Sequence, residues 1–184
     1  ILASIVTTLK AHTPVIKSLD LLIIGGGGLL MDMYKRDAPL YSSLGMLGHY
    51  FRKKVIIYGV GAGPITTKPG SFLIRTLANK ANIVTVRDND SKELLKRIGV
   101  KNDIDVIGDP AFSLSGIDKP SRSGVQKIGV TAVPYYDKRY WPVGDENRYI
   151  QYVAGFAQAL DQLVNEKNVD VTFFSTKFPQ DVQV

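Results

Sequence analysis

Arg87 closes an apolar, β-branched run, Ile83-Val84-Thr85-Val86, and Asp88-Asn89-Asp90-Ser91 follows at once. Such a run between turn residues reads as a buried parallel strand, so its first charge stands at the carboxyl edge of a sheet, where open α/β folds bind ligands. A planar guanidinium there suits a phosphate or a carboxylate. Asp90 and Ser91 are placed to cap the helix that follows, with Glu93 completing a capping box and Gly99 ending the helix. Arg87 would then sit beside a helix N-terminus, which also favours negative charge. The plainer fate of an Arg-Asp pair at a strand end is a salt-bridged loop.

Three more unusual loops follow strands. Gly25-Gly26-Gly27-Gly28 comes after Leu21-Leu22-Ile23-Ile24 and leads into Leu29-Leu30-Met31-Asp32. Without side chains where the chain leaves the sheet, the amides of Gly26, Gly27 and Gly28 can approach a ligand closely. The spacing is not that of the dinucleotide fingerprint. The second loop, Gly59-Val60-Gly61-Ala62-Gly63-Pro64, offers Gly59, Gly61 and Gly63 in the same way. In the fourth, Gly108-Asp109-Pro110, Asp109 could orient Arg87, bind a sugar hydroxyl or cap a turn. In a parallel sheet all four loops crowd along one edge. That edge is expected to form one wall of a cleft.

The elements that must place these loops are legible as strands over residues 19–24, 54–58, 82–86 and 104–107. Helical stretches over 40–52 and 71–80 lie between them, and residues 1–9 read as an amphipathic helix. Alternation of this kind predicts an α/β fold with a parallel sheet covered on both faces. Residues 115–126 lose all periodicity and read as a linker after a first Rossmann-like domain, 1–114. A second unit, 127–184, has a strand at 127–133, a helix at 149–167 and a strand at 169–175. It matches the opening of another Rossmann-like domain, only partly present. An aromatic loop with Tyr135, Tyr136, Tyr140 and Trp141 follows its first strand, suited to sugar stacking or to packing. The chain opens without Met inside an apolar segment and stops soon after a strand, which suggests a piece of a longer protein.

Composition narrows the chemistry. The 23 Lys and Arg exceed the 17 Asp and Glu to give a formal charge of +6, spread along the chain. That favours anionic ligands, but no basic run with interleaved aromatics points to nucleic acid. Zero cysteines exclude thiolate catalysis and disulfides and fit a reducing compartment. The two histidines, His12 and His49, leave little for a metal site, so no metal or cofactor is expected. The apolar opening segment, Ile1 to Leu9, is far too short to span a bilayer.

Taken in order, the Ile24–Asp32 segment, Gly59–Pro64, Val86-Arg87-Asp88-Asn89-Asp90-Ser91 and Asp109-Pro110-Ala111-Phe112 resemble the polysaccharide pyruvyl transferase family, most closely over residues 19–133. The resemblance implies a two-domain architecture similar to GT-B glycosyltransferases. It also implies transfer of a pyruvyl group from phosphoenolpyruvate to two hydroxyls of a sugar, giving a ketal and phosphate. Arg87 matches the arginine of the family's R-D/E-x-x-S motif, which implies a catalytic, donor-contacting role; the donor's phosphate and carboxylate also call for aligned amide donors, which the helix opening at Ser91 and the loop glycines could provide as substrate-binding partners. Asp32, Asp88 and Asp109 are the carboxylates that could move a proton. The family's later Arg/His motif lies beyond Val184, so these residues alone are expected to be inactive. A cytoplasmic site of action, peripheral to the membrane where the polysaccharide acceptor is lipid-linked, fits this chemistry. Two rivals are a GT-B glycosyltransferase using a nucleotide sugar and a non-catalytic glycan-binding module.

Overall fold

The computed structural model describes residues 2–114, 127–141 and 143–175. The chain divides into two units, Ile1–Gly116 and Ile117–Val184. The stretch expected to be a linker, 115–126, lies outside the described residues.

In the first unit α1 (Leu2–Ser18) precedes β1 (Leu21–Gly25), α2 (Asp37–Tyr50), β2 (Lys54–Val60), α3 (Lys68–Lys80), β3 (Ile83–Val86), α4 (Asn89–Arg97) and β4 (Asp105–Val106). The four strands are parallel and lie in the order β1-β2-β3-β4. This is the Rossmann-like α/β architecture that the alternation of elements implies. The helices are longer than periodicity suggests because polar and proline residues extend their first turns. Pro39 lies in the first turn of α2, and Thr67 caps α3 by accepting from the Gly70 N–H at 3.0 Å, with Pro69 in its first turn. Proline is tolerated there because those N–H groups have no intrahelical partner. α1 runs well past residue 9 and contains Pro14.

Cover on both sheet faces does not hold among the described residues. Strands that pair in sequence order, joined by right-handed crossovers, stack their connecting helices on one face. Ile24, Val55, Ile57, Val84 and Val86 pack with Ile74, Leu77 and Leu95 into a single core on that side. Helix α2 lies directly on the sheet, since a Cβ at Gly48 would meet Leu22 Cδ2 at 2.9 Å and Val55 Cγ2 at 3.2 Å. Side chains that alternate with the core set, Leu21, Ile23, Tyr58 and Ile83, remain exposed, Ile23 by 56%.

In the second unit β5 (Lys127–Val130) and β6 (Asp170–Phe173) are parallel and are joined through α5 (Glu146–Lys167). Both strands stop short of the ranges read from sequence, because the ladder ends at the Val130–Phe173 pair. Asp145 starts α5 by accepting from the Arg148 N–H at 3.1 Å, and Asn168 ends it in the left-handed region at φ 48°. The turn after β5 is built on Asp137, 3% exposed, which takes the Arg139 amide and guanidinium. Around it Tyr135 meets Tyr136 at 4.3 Å and Trp141 at 4.8 Å between ring centroids.

Candidate active-site rim

The first two glycine loops prolong the β1–β2 pairing beyond the strands. Gly61 N–H donates to Gly27 O at 2.8 Å, Gly63 N–H to Leu30 O at 2.8 Å, and Asp32 N–H to Pro64 O at 3.0 Å. A bridge joins Leu30 to Ala62. Among the described residues the amides of Gly27, Gly28 and Leu29 donate to no backbone acceptor. Gly26 and Gly27 adopt φ of 79° and 56°, and a Cβ on either would meet nothing within 4 Å. This stretch therefore shows bare backbone to open space, with free donors that suit an anion.

The second loop is re-aimed by an irregularity in β2 between Ile57 and Val60. Such a bulge leaves one amide out of the ladder. Here the buried hydroxyl of Thr85 accepts from Gly59 N–H at 2.8 Å and donates to Ile57 O at 3.3 Å. Thr85 reads in sequence as one more β-branched strand residue, and only the cross-strand partner reveals this role. The bulge carries Gly59 against Pro110, where a Cβ would collide with the proline ring.

Arg87 sits at the end of β3, with its amide donating to Val60 O at 3.0 Å. Its guanidinium lies across buried Gly61, where a Cβ would come within 2.8 Å of both Cζ and Nε. Nε is 3.2 Å from Asp88 Oδ2, and Nη1 is 3.9 Å from Asp109 Oδ2. The Arg87 side chain keeps 39% of its surface exposed. The four loops singled out in the sequence are thus brought to one rim, with Arg87 in contact with the second and the fourth.

The carboxylates differ sharply in engagement. Asp32 accepts from the amides of Thr66 and Thr67, at 2.8 and 2.6 Å, and from both hydroxyls, at 3.2 and 2.6 Å. Burial pushes its carboxyl up, but these Thr67 and Thr66 hydrogen bonds together hold it below the usual aspartate range. It clasps the start of α3. Asp88 caps α4, accepting from the Ser91 N–H at 2.7 Å, so the cap is Asp88 and not Asp90. The Ser91 hydroxyl and amide, with a smaller share from Arg87, lower the Asp88 carboxyl. Ser91 itself is 2% exposed and accepts from the Ala62 N–H at 2.8 Å, which places it beneath the rim. Asp109 spends Oδ1 on the Ala111 amide at 3.0 Å, where a 3-10 turn, Pro110–Ser113, begins, and turns Oδ2 toward Arg87.

Fold and rim together define a Rossmann-like α/β protein whose sheet edge gathers one arginine and bare glycine backbone. The family model for polysaccharide pyruvyl transferase matches residues 2–184. The chain belongs to that family, and at family level it is a transferase. No curated protein and no solved structure matches it. Among the described residues no helix is long and apolar enough to cross a membrane, and no cluster of His, Cys, Asp or Glu could hold a metal ion.

Proposed function

We propose that the protein transfers the pyruvyl group of phosphoenolpyruvate to two hydroxyls of a sugar in a polysaccharide or its precursor, giving a cyclic ketal and inorganic phosphate. The observation that carries this reading is the half-exposed guanidinium of Arg87, held across Gly61, whose N–H reaches Gly27 O, beside amides of Gly27 and Gly28 that donate to no backbone acceptor among the described residues. A donor with a phosphate and a carboxylate within a few ångströms needs a bidentate cation and aligned amide donors together.

In this mechanism C3 of the enol takes a proton and becomes the ketal methyl while one sugar hydroxyl adds to C2. The second hydroxyl then displaces the phosphate from C2, and each hydroxyl gives up its proton. Arg87 and the amides stabilise the negative charge of the donor and of the departing phosphate. Proton transfer needs a carboxylate with an uncommitted oxygen. Asp109 fits this better than Asp32, whose two oxygens hold the start of α3, or Asp88, whose Oδ1 takes the Ser91 amide and whose Oδ2 meets Arg87 Nε. A GT-B-like pair of domains, action at the cytoplasmic side of a membrane and a lipid-linked acceptor belong to the same proposal.

The test is to incubate the full-length protein with phosphoenolpyruvate and a panel of β-galactosides and N-acetylmannosaminides, and to look for a pyruvate ketal with equimolar phosphate. Arg87→Ala should lower kcat/KM by roughly 30-fold or more, as for about 2 kcal/mol of charge-assisted hydrogen bonding. Sugar transfer from a nucleotide sugar, with phosphoenolpyruvate untouched, would overturn the proposal.

A further inference from the structure

Arg87 is the exposed end of a chain of contacts that starts inside the protein. The Ala62 N–H donates to the Ser91 hydroxyl at 2.8 Å. The Ser91 N–H in turn donates to the Asp88 carboxylate at 2.7 Å, and Asp88 accepts from Arg87 Nε at 3.2 Å. Ser91 is buried at the start of α4, while Arg87 is 39% exposed at the end of β3. Ser91 therefore ties three pieces together, the second glycine loop through its hydroxyl and, through its amide, the capping Asp88 at the first turn of α4 and the cation that Asp88 meets.

We propose that Ser91 is a positioning residue for Arg87, fixing Asp88 and the Gly61–Ala62 backbone so that the guanidinium is held ready at the rim. A long, flexible side chain loses rotamer freedom when it binds an anion, and a contact that settles this beforehand strengthens binding without touching the ligand. Asp88 fixes the Nε edge, and Gly61 supports the guanidinium from below. Ser91 itself has almost no surface left for a substrate. The inference rests on the proposed donor-binding role of Arg87.

The experiment is a double-mutant cycle on the full-length protein, with phosphoenolpyruvate binding followed by calorimetry and thermal unfolding recorded in parallel. Ser91→Ala should raise Kd about tenfold in the native background and change it less than about twofold in an Arg87→Ala background, which is the mark of coupled residues. Asp88→Asn keeps a helix-capping side chain but weakens the hold on Nε, and should repeat the pattern at smaller amplitude should Ser91→Ala fail to fold. An equal effect in both backgrounds would mean that Ser91 acts through general stability, and the proposal is wrong. An Arg87→Ala protein that binds phosphoenolpyruvate normally would instead remove the donor site itself. These two failures are distinguishable.

Discussion

The guanidinium of Arg87 rests on Gly61 so closely that a Cβ built on the glycine would stand 2.8 Å from Cζ and 2.9 Å from Nη2. What a methyl group at residue 61 would displace is the far end of a flexible side chain. Gly61→Ala should therefore cost little stability, within about 1 kcal/mol, yet push the cation off its seat. We expect the KM for phosphoenolpyruvate to rise about tenfold, since a displacement near 1 Å is enough to spoil a positioned contact. Denaturant unfolding and steady-state kinetics on the same preparation check both halves, and an unchanged KM would detach the glycine from the site.

Thr85→Val keeps the shape of the side chain and removes the acceptor for the buried Gly59 amide. Leaving that donor unpaired should cost about 1–3 kcal/mol. The loss should appear in the urea midpoint with an unaltered slope. A midpoint equal to that of the parent protein would show that Gly59 finds another partner.

Acid should loosen the clasp at Asp32. Its carboxyl lies lower in the folded state than the ordinary 3.8, so the folded protein holds fewer protons near that pH than the unfolded chain. The contribution to stability is complete above the ordinary value and is lost as pH falls through the folded one. Asp32→Ala should lower stability at neutral pH by about 1 kcal/mol and flatten the decline below pH ~4. Urea midpoints of both proteins across that range measure it, and parallel curves would refute the assignment.

Asp109→Asn separates support from chemistry. The contact with Arg87 is long and solvent-facing, 3.9 Å with side chains 39% and 35% exposed, so stability should move by no more than about 0.5 kcal/mol. Should Oδ2 carry a proton in the reaction, kcat falls about 100-fold with KM held. We expect that pattern. A turnover close to that of the parent protein would send the search for the proton carrier elsewhere.

The rim was legible in the sequence because each of its parts follows a short apolar run, and a parallel sheet sends every such exit to one edge. Strand order was less accessible. Local pattern says that Ile23 and Ile83 are strand residues but not that all three crossovers fall on the opposite face, which depends on β1 to β4 pairing in sequence. The Asp32 clasp joins residues 34 and 35 positions apart, and no short-range signal announces it. Asp88 and Asp90 are equally good capping residues by type. The choice fell to Asp88 because its extended backbone, φ −147° and ψ 162°, turns its oxygen onto the Ser91 amide.

The lacing of residues 27–32 to residues 61–64 by backbone hydrogen bonds bears on how a ligand would be received. These segments need not condense around an arriving anion, so little of the binding free energy goes to taming loose chain. The amide protons of Gly61 and Gly63 should then exchange with solvent nearly as slowly as those of the neighbouring strands, and should do so in the empty protein.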